Sequence, residues 1–323
     1  MNDISITLGH IARHTPHGAG AQGRDAAIVD IAQDLLLRDL HGKGVLESLA
    51  FKGGTALRKL YAGTAGRFSL DLDFSSTTIG GNPEDALTGL IAAIDGLQLG
   101  PFRYGVTERR GKWTLTYDHP FGGESTTLQS KLDLSPPPWL ESVSRGWRPL
   151  PVHAQYGSPA LPELQVIQLT ENIAEKIARL NRATPARDMY DLRWVMTNPP
   201  ITQTLDLALI RRLAVLKIWV DANGANAGQT WWKPGHEGPP FDPDRWLRDR
   251  SHGEFDEEDI GALAVPTPTA TELSDALRTQ FRFLADLDDD ERVLAQAREQ
   301  DRPLALRALA SLPGARLADV GLY

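Results

Sequence analysis

The length and composition of the chain, 323 residues of which 41% are hydrophobic, allow two domains with a buried core and exclude an intrinsically disordered protein. There is no cysteine, which excludes disulfides and thiolate metal sites and suits a reducing, cytoplasmic location. The formal net charge of −8 argues against a protein that coats nucleic acid through general positive charge, but it is compatible with a local basic groove. The N-terminus lacks the apolar core of a signal peptide, and no apolar run approaches the roughly 20 residues needed to span a bilayer, so no membrane association is expected.

The predicted elements begin with an arm and a helix. Residues 1–24 are rich in glycine, histidine and polar side chains, which is typical of a loose arm. Residues 25–40 repeat apolar side chains at helical spacing and are predicted to form a helix that packs against the core.

The next segment reads ESLAFKGGTALRKLYAGTAGRFSLDLDF over residues 47–74. We expect a short strand at 49–51 that ends at a pair of glycines. Thr55 is predicted to cap the helix that follows, and a second strand is predicted over 68–74.

Asp71 and Asp73 would share one face of the second strand, as would Ser69, because successive side chains of a strand alternate. Neighbouring carboxylates repel each other unless a cation lies between them, and oxygen ligands favour a hard cation such as Mg²⁺. Gly53 and Gly54 have no Cβ, so backbone N–H groups at the helix start could approach a phosphate closely. A glycine pair alone is more typical of a turn, and Asp-x-Asp alone of a solvated strand edge. Together, in this order, they indicate a metal–nucleotide site.

A helix and three strands are predicted next, the helix over 83–97 and the strands over 102–107, 112–118 and 126–135. The third strand carries Lys131 and Asp133 on one face. Asp133 would supply the third carboxylate that a two-metal site requires, the alternative being a hydrated residue on an edge strand. Lys131 could bind a phosphate or balance the aspartates.

Beyond residue 161 the strand signals fade, so residues 1–150 and 151–323 are predicted to form separate domains, the second mainly helical. Helices are predicted over 165–181, 206–220 and 271–287.

Other features of the second part have ordinary explanations. Trp231 and Trp232 lie in a polar loop and could stack on bases, but such a pair more often fixes a loop to the core. From spacing alone, Lys176 would be a surface charge and Asp191 a helix cap. The acidic run 286–291 is predicted to be a solvated helix end.

Several motifs occur in the order found in one family. GGTALR followed by RFSLDLDF, then KLDLS and ENIAEKIARL…RDMYDL, resembles the AbiEii/AbiGii toxin family within the polymerase-β-like nucleotidyltransferases. The resemblance covers roughly residues 45–195. It implies an α+β fold, in which a mixed sheet with flanking helices forms the nucleotidyltransferase domain. A mainly helical C-terminal domain would complete the nucleotide site and carry substrate contacts.

The resemblance also implies a set of site residues. Two Mg²⁺ ions would be held by Asp71, Asp73 and Asp133. The nucleotide would be bound by Gly53, Gly54, Thr55, Arg58, Ser69, Lys131 and Lys176. The catalytic set would comprise the three aspartates together with Lys176, Asp188 and Asp191, the last two completing or orienting the site.

The implied function is magnesium-dependent transfer of a nucleoside monophosphate from an NTP to an RNA acceptor, the 3′ end of tRNA. The protein would be the toxin of a toxin–antitoxin or phage-exclusion pair and would have a cognate antitoxin. Two alternatives stay open, a transferase acting on a small molecule such as an aminoglycoside and a non-catalytic nucleotide-binding module. The basic cluster Arg103, Arg109, Arg110 and Lys112 favours an open groove for RNA, and the three carboxylates argue against a non-catalytic module.

Overall fold

The structure is a computed structural model that describes residues 4–77, 83–123, 125–181, 186–224, 239–248 and 260–314. Trp231 and Trp232 lie outside the described residues. The chain divides into two compact units. The first comprises 1–137, 142–167 and 261–266, and the second comprises 138–141, 168–260 and 267–323.

The first unit contains an eight-stranded sheet. Its strands are β1 (Leu49–Lys52), β2 (Leu72–Ser76), β3 (Gln98–Leu99), β4 (Phe102–Arg109), β5 (Lys112–Asp118), β6 (Thr127–Ser135), β7 (Val143–Arg145) and β8 (Leu164–Val166). Their order in the sheet is β3-β4-β5-β6-β2-β1-β8-β7. The pairs β2–β6 and β1–β8 are parallel and the other pairs are antiparallel, which confirms the predicted mixed sheet.

Helices accompany the sheet and make up most of the second unit. Those of the first unit are α1 (Leu8–His14), α2 (Gly20–Gly42), α3 (Gly53–Leu57), which continues as a π-helical turn over Arg58–Ala62, and α4 (Pro83–Ile94). Those of the second unit are α5 (Leu169–Leu180), α6 (Ala186–Met196), α7 (Pro199–Thr202), α8 (Leu207–Asn223), α9 (Pro243–Arg248), α10 (Ala270–Gln280), α11 (Asp289–Leu294) and α12 (Arg302–Ala310). Within the described ranges, none of these helices is both long enough and apolar enough to cross a membrane.

One face of the sheet is covered by α2. In β5, Leu115 and Tyr117 are fully buried, whereas Thr114 and Thr116, which alternate with them along the strand, are only partly buried. The Tyr104 hydroxyl donates a hydrogen bond of 2.7 Å to the carbonyl of Ala32 in α2. The alternation therefore separates an apolar face under α2 from a polar face on the other side of the sheet.

The prediction of a loose N-terminal arm was wrong. Residues 8–14 form α1, which begins after Thr7, whose side chain accepts from the backbone N–H of His10. Ile11 in this helix is 1% exposed. A capped turn and one buried apolar side chain are enough to order the segment, and neither stands out from its polar composition.

Two predicted elements begin later in the structure than the sequence indicated. The second strand begins at Leu72 rather than at residue 68, because the preceding residues bond to side chains and loops outside the sheet. The helix predicted from residue 165 begins at Leu169, because Leu164–Val166 pairs with β1 as β8. The backbone N–H of Ile167 continues this pairing with a 3.1 Å bond to Phe51 O.

The acidic run 286–291 is solvated only in part. Asp288 caps α11 by accepting from Glu291 N at 2.8 Å. Glu291 is 2% exposed and accepts from Arg211 Nε of α8 at 2.7 Å. The prediction missed this pair because the arginine that neutralises Glu291 lies 80 residues away in the sequence.

A cluster of buried charges joins α2 to the π-helical turn. Lys59 Nζ lies 2.7 Å from Asp30 Oδ1 and 2.5 Å from Asp34 Oδ1, and all three side chains are 1% exposed. Burial alone would raise the pKa of Asp30, but Lys59, Arg58 and His14 hold that pKa well below its ordinary value. The cluster anchors the segment that follows the glycine pair to the longest helix of the unit.

Replacing Lys59 with methionine is expected to lower the free energy of unfolding by about 3–5 kcal/mol, because the buried carboxylates of Asp30 and Asp34 lose the cation that they share. Lys43→Met is the matched control, since Lys43 makes an exposed ion pair with Asp39 in α2 and should cost less than about 1 kcal/mol. Urea unfolding of both variants measures the difference. Equal midpoints for the two variants would mean that the buried cluster contributes nothing specific.

Candidate active site

Gly53 occupies a position that other residues would fill badly. Its φ is +77°, in the left-handed region. A Cβ placed there would lie 3.1 Å from Cγ of Asp73 and closer still to its Oδ2, and Asp73 pairs with Lys52 across β1 and β2. The glycine thus lets the carboxylate of Asp73 lie against the start of α3.

The sequence predicted that Thr55 caps α3, and this was wrong because the helix already begins at Gly53. Its hydroxyl donates instead to two backbone carbonyls, Ser69 O at 3.2 Å and Asp71 O at 2.5 Å. Thr55 therefore ties α3 to the segment that carries the aspartates. The segment between Gly53 and Asp73 is held from both ends.

The strand register brings the three aspartates to one edge of the polar face. Asp73 of β2 and Asp133 of β6 are Cα partners in the parallel pair. Asp71, just before β2, accepts from the backbone N–H of Lys131 at 3.2 Å. The Lys131 ammonium forms an ion pair with Asp133, and both side chains are about half exposed. Residues 60 positions apart in the sequence thus share one surface.

The chemistry of these donors suits a hard divalent cation, because all three are carboxylates. In the described part of the chain, however, no group of three or more histidine, cysteine, aspartate or glutamate side chains is arranged so that it could hold a metal ion as it stands. The ion pair between Lys131 and Asp133 places an ammonium beside one of the three carboxylates. A metal held by these three carboxylates would have to replace the Lys131 ammonium at Asp133.

Two other predicted nucleotide ligands are buried. Arg58 is 3% exposed, and its guanidinium donates to Gly63 O at 2.7 Å and Gly66 O at 2.8 Å and stacks 3.7 Å from the Phe68 ring centre. Ser69 is 7% exposed. The Arg58 contacts fit a residue that shapes the loop between α3 and β2.

Lys176, Asp188 and Asp191 form a contact set within the second unit. Lys176 Nζ lies 2.8 Å from Asp188 Oδ1 and 2.9 Å from Asp191 Oδ2, and its side chain is 9% exposed. Arg179 adds a longer contact of 3.3 Å to Asp188. The interpretation of Lys176 as a surface charge was therefore wrong. The two aspartates that neutralise it come from α6, and sequence spacing cannot show how α6 lies against α5.

Substituting methionine for Lys176 is expected to lower the free energy of unfolding by about 3–5 kcal/mol, because two buried carboxylates would lose a shared cation. The control is Arg179→Met, since the Arg179 side chain is 51% exposed and its pair with Asp188 should contribute less than about 1 kcal/mol. Both are measured by urea unfolding. A midpoint for Lys176→Met that matches that of Arg179→Met would contradict the structural role.

Sequence reasoning missed the residues that support the aspartates from α2. The side-chain amide of the fully buried Gln33 donates to the carbonyl of Leu70, next to Asp71. Lys59 and Asp30 fix the other end of the glycine segment. The available signal was the presence of polar side chains inside an otherwise apolar helix, which argues for buried partners.

The match to a known family decides what this arrangement is. The pattern described as nucleotidyl transferase AbiEii toxin, type IV TA system, matches residues 34–302. The chain belongs to the AbiEii family. It is therefore a nucleotidyltransferase, the toxin of a type IV toxin–antitoxin system, which uses an NTP and a metal and has an antitoxin partner.

A solved structure agrees with this assignment. This chain is similar to MenT4, a nucleotidyltransferase toxin from Mycobacterium tuberculosis H37Rv, with 34% sequence identity and a TM-score of 0.78. The similarity covers 96% of this chain and 100% of the MenT4 chain. No curated protein sequence matches the chain. The match to MenT4 extends well beyond the roughly 150 residues on which the sequence resemblance rested, so the predicted α+β fold is confirmed.

Proposed function

We propose that this protein transfers a nucleoside monophosphate from an NTP to the 3′ end of an RNA, with tRNA as the acceptor and Mg²⁺ as the metal. It would act in the cytoplasm, where a cognate antitoxin restrains it. The observation that carries the proposal is the register of Asp73 and Asp133, with Asp71 beside them and Gly53 against Asp73. Three carboxylates at the ends of two neighbouring central strands, beside a helix start, suit a bound metal–triphosphate.

The roles of the chain's residues follow from their positions. Asp71, Asp73 and Asp133 would hold Mg²⁺, which supplies charge neutralisation at the phosphates when it is bound. The helical segment that begins at Gly53-Gly54 would bind phosphate oxygens through its backbone N–H groups. Lys131 would exchange its ion pair with Asp133 for a phosphate oxygen.

Lys176, Asp188 and Asp191 of the second unit and Arg58 of the first also have proposed roles. Lys176 would bind a phosphate at the edge of its pair with Asp188 and Asp191, which orient it. Arg58 would contribute by fixing the loop between α3 and β2 rather than by reaching the nucleotide, because its guanidinium bonds two carbonyls of that loop.

The proposed reaction is an in-line substitution at phosphorus. The acceptor hydroxyl oxygen forms a bond to the α-phosphorus, and the bond from that phosphorus to the oxygen bridging to the β-phosphate breaks. Pyrophosphate leaves, and the hydroxyl proton passes to a carboxylate of the site. Positioning and charge neutralisation supply most of the catalysis in such a transfer.

The test is to incubate the protein and Mg²⁺ with each of the four α-labelled NTPs and with total RNA, purified tRNA or an aminoglycoside. The expected result is label on RNA in the size range of tRNA, released by nuclease as the 3′-terminal nucleotide. Chelation with EDTA should abolish labelling, and added Mg²⁺ should restore it.

Three other outcomes of this experiment would change the proposal. Label on the aminoglycoside and none on RNA would replace the proposal with the small-molecule alternative. NTP binding without any transfer would support a non-catalytic module. Labelling that is supported by Mn²⁺ but not by Mg²⁺ would correct the metal alone.

A further inference from the structure

One cross-strand row links the aspartates to two cations. Asp73 pairs with Asp133, and Lys112 pairs with Arg109. The β5–β6 pairing ends at Trp113 and Leu132, and one further step along both strands brings Lys112 beside Asp133. Directly opposed residues point to the same face of a sheet. With strands about 4.8 Å apart, Lys112 lies roughly 10 Å and Arg109 roughly 14 Å from Asp73.

This row crosses the polar face of the sheet, which is open to solvent. Arg109, Lys112, Thr107 and Gln129 on this face are exposed, and Thr114 and Thr116 are partly exposed. At the far end of the face Arg103 stands opposite Asp118, whereas Arg109 and Lys112 are paired cations at the end nearer the aspartates. We call this surface the β4–β6 face.

The chemistry of the β4–β6 face suits a phosphate backbone. It offers cations and hydroxyl groups, and none of the described residues of β2, β4, β5 and β6 places an aromatic ring on it. Recognition there would use phosphates rather than stacked bases, and would be independent of sequence. A cationic small acceptor such as an aminoglycoside would be repelled by Arg109 and Lys112. A stacked nucleic-acid strand rises about 3.4 Å per nucleotide and would cover the roughly 14 Å from Asp73 to Arg109 in three to four nucleotides.

We propose that the β4–β6 face is the track on which the single-stranded 3′ end of the acceptor RNA lies. Lys112 and Arg109 bind the phosphates about three to four nucleotides before the reacting hydroxyl. The inference rests on the proposed function in taking RNA as the acceptor. It goes beyond that function in naming the surface and the part of the RNA that the surface binds.

The test compares Arg109→Ala/Lys112→Ala with wild type in transfer to tRNA at several salt concentrations. The KM for RNA should rise at least about tenfold, whereas kcat at saturating RNA and the KM for NTP should change less than about twofold. The slope of log kcat/KM against log salt should become shallower by about 1.4, since each phosphate contact on a single strand contributes about 0.7. Arg109→Lys/Lys112→Arg, which keeps both charges, should restore wild-type behaviour.

Lys43→Ala is the matched control, because Lys43 is an exposed cation at the end of α2, the helix that covers the other face of the sheet. It should leave the KM for RNA and the salt slope unchanged. Shortening the single-stranded 3′ end of the RNA to one nucleotide should make wild type and the double alanine variant equal. If Arg109→Ala/Lys112→Ala has the same KM for RNA and the same salt slope as Lys43→Ala, the proposal that the β4–β6 face binds RNA is wrong.

A failure of the proposed function can be told apart from a failure of the track. If wild type transfers nucleotide to no RNA, binding of a 5′-labelled single-stranded oligoribonucleotide is measured by fluorescence anisotropy without NTP. Weaker binding by the double alanine variant would support the β4–β6 face as an RNA surface although the transfer proposal had failed. Equal binding by both proteins would overturn the track as well.

Discussion

Asp73→Asn is expected to reduce nucleotide transfer at least about a thousandfold while the protein stays folded. The substitution keeps the size of the side chain but removes the charge that faces Asp133 across the parallel pair. An amide is a poor ligand for a hard cation compared with a carboxylate, and loss of a metal ligand removes several kcal/mol of transition-state stabilisation. Asp71→Asn should behave in the same way, because Asp71 lies beside Lys131 on the same edge.

Single-turnover transfer of a labelled nucleotide measures this effect, and thermal unfolding checks the fold. Asp118→Asn is the matched control, since Asp118 is exposed on the same face of the sheet but lies at its far end. It should keep nearly the full rate. A variant of Asp71 or Asp73 that transfers at half the wild-type rate or faster would remove that residue from the catalytic set.

Gly53→Ala is expected to lower kcat/KM for the NTP by about a hundredfold or more. The added methyl group would meet the carboxylate of Asp73, which must turn away from its position beside α3. The backbone would also be strained by about 1–2 kcal/mol, because φ at this residue is +77°. A displacement of about 1 Å in a catalytic group is enough for a loss of this size.

A second glycine serves as a control, because alanine there would strain the backbone without contacting a neighbouring side chain. Gly96 has a φ of +76°, and a Cβ placed there would meet nothing within 4 Å. Gly96→Ala should therefore lose stability to a similar extent but keep its activity. If both variants lose the same activity, the effect of Gly53→Ala is general destabilisation, and the close approach to Asp73 has no special role.

The local motifs were predicted correctly because their geometry is local. The alternation of side chains in KWTLTYD and TLQSKLDLS is enough to separate two faces of each strand, and the structure has both strands where they were expected. The apolar spacing of residues 25–40 likewise led to α2. Helical and strand periods follow from backbone geometry and can be read without knowledge of any partner.

Burial of charged side chains could not be predicted in the same way. Arg58, Lys59 and Lys176 look like ordinary helix-surface cations in the sequence, yet each is less than 10% exposed. Lys59 is neutralised by Asp30 and Asp34 of α2, and Arg58 bonds loop carbonyls of the first unit. Lys176 is neutralised by the aspartates of α6. A charge can be buried only when its partner is present, and the partner is supplied by the fold.

By itself, the sequence determined the family, the α+β class and the residue types of the candidate site, because these depend on local spacing and on motifs in order. Only the tertiary structure decided that Asp73 lies opposite Asp133, that Lys112 and Arg109 continue the same row, and that residues 261–266 join the first unit through the bond from Phe68 N to Ala262 O. The physical reason is that strand register is set by the joint burial of one face of all the strands. No single strand carries that information.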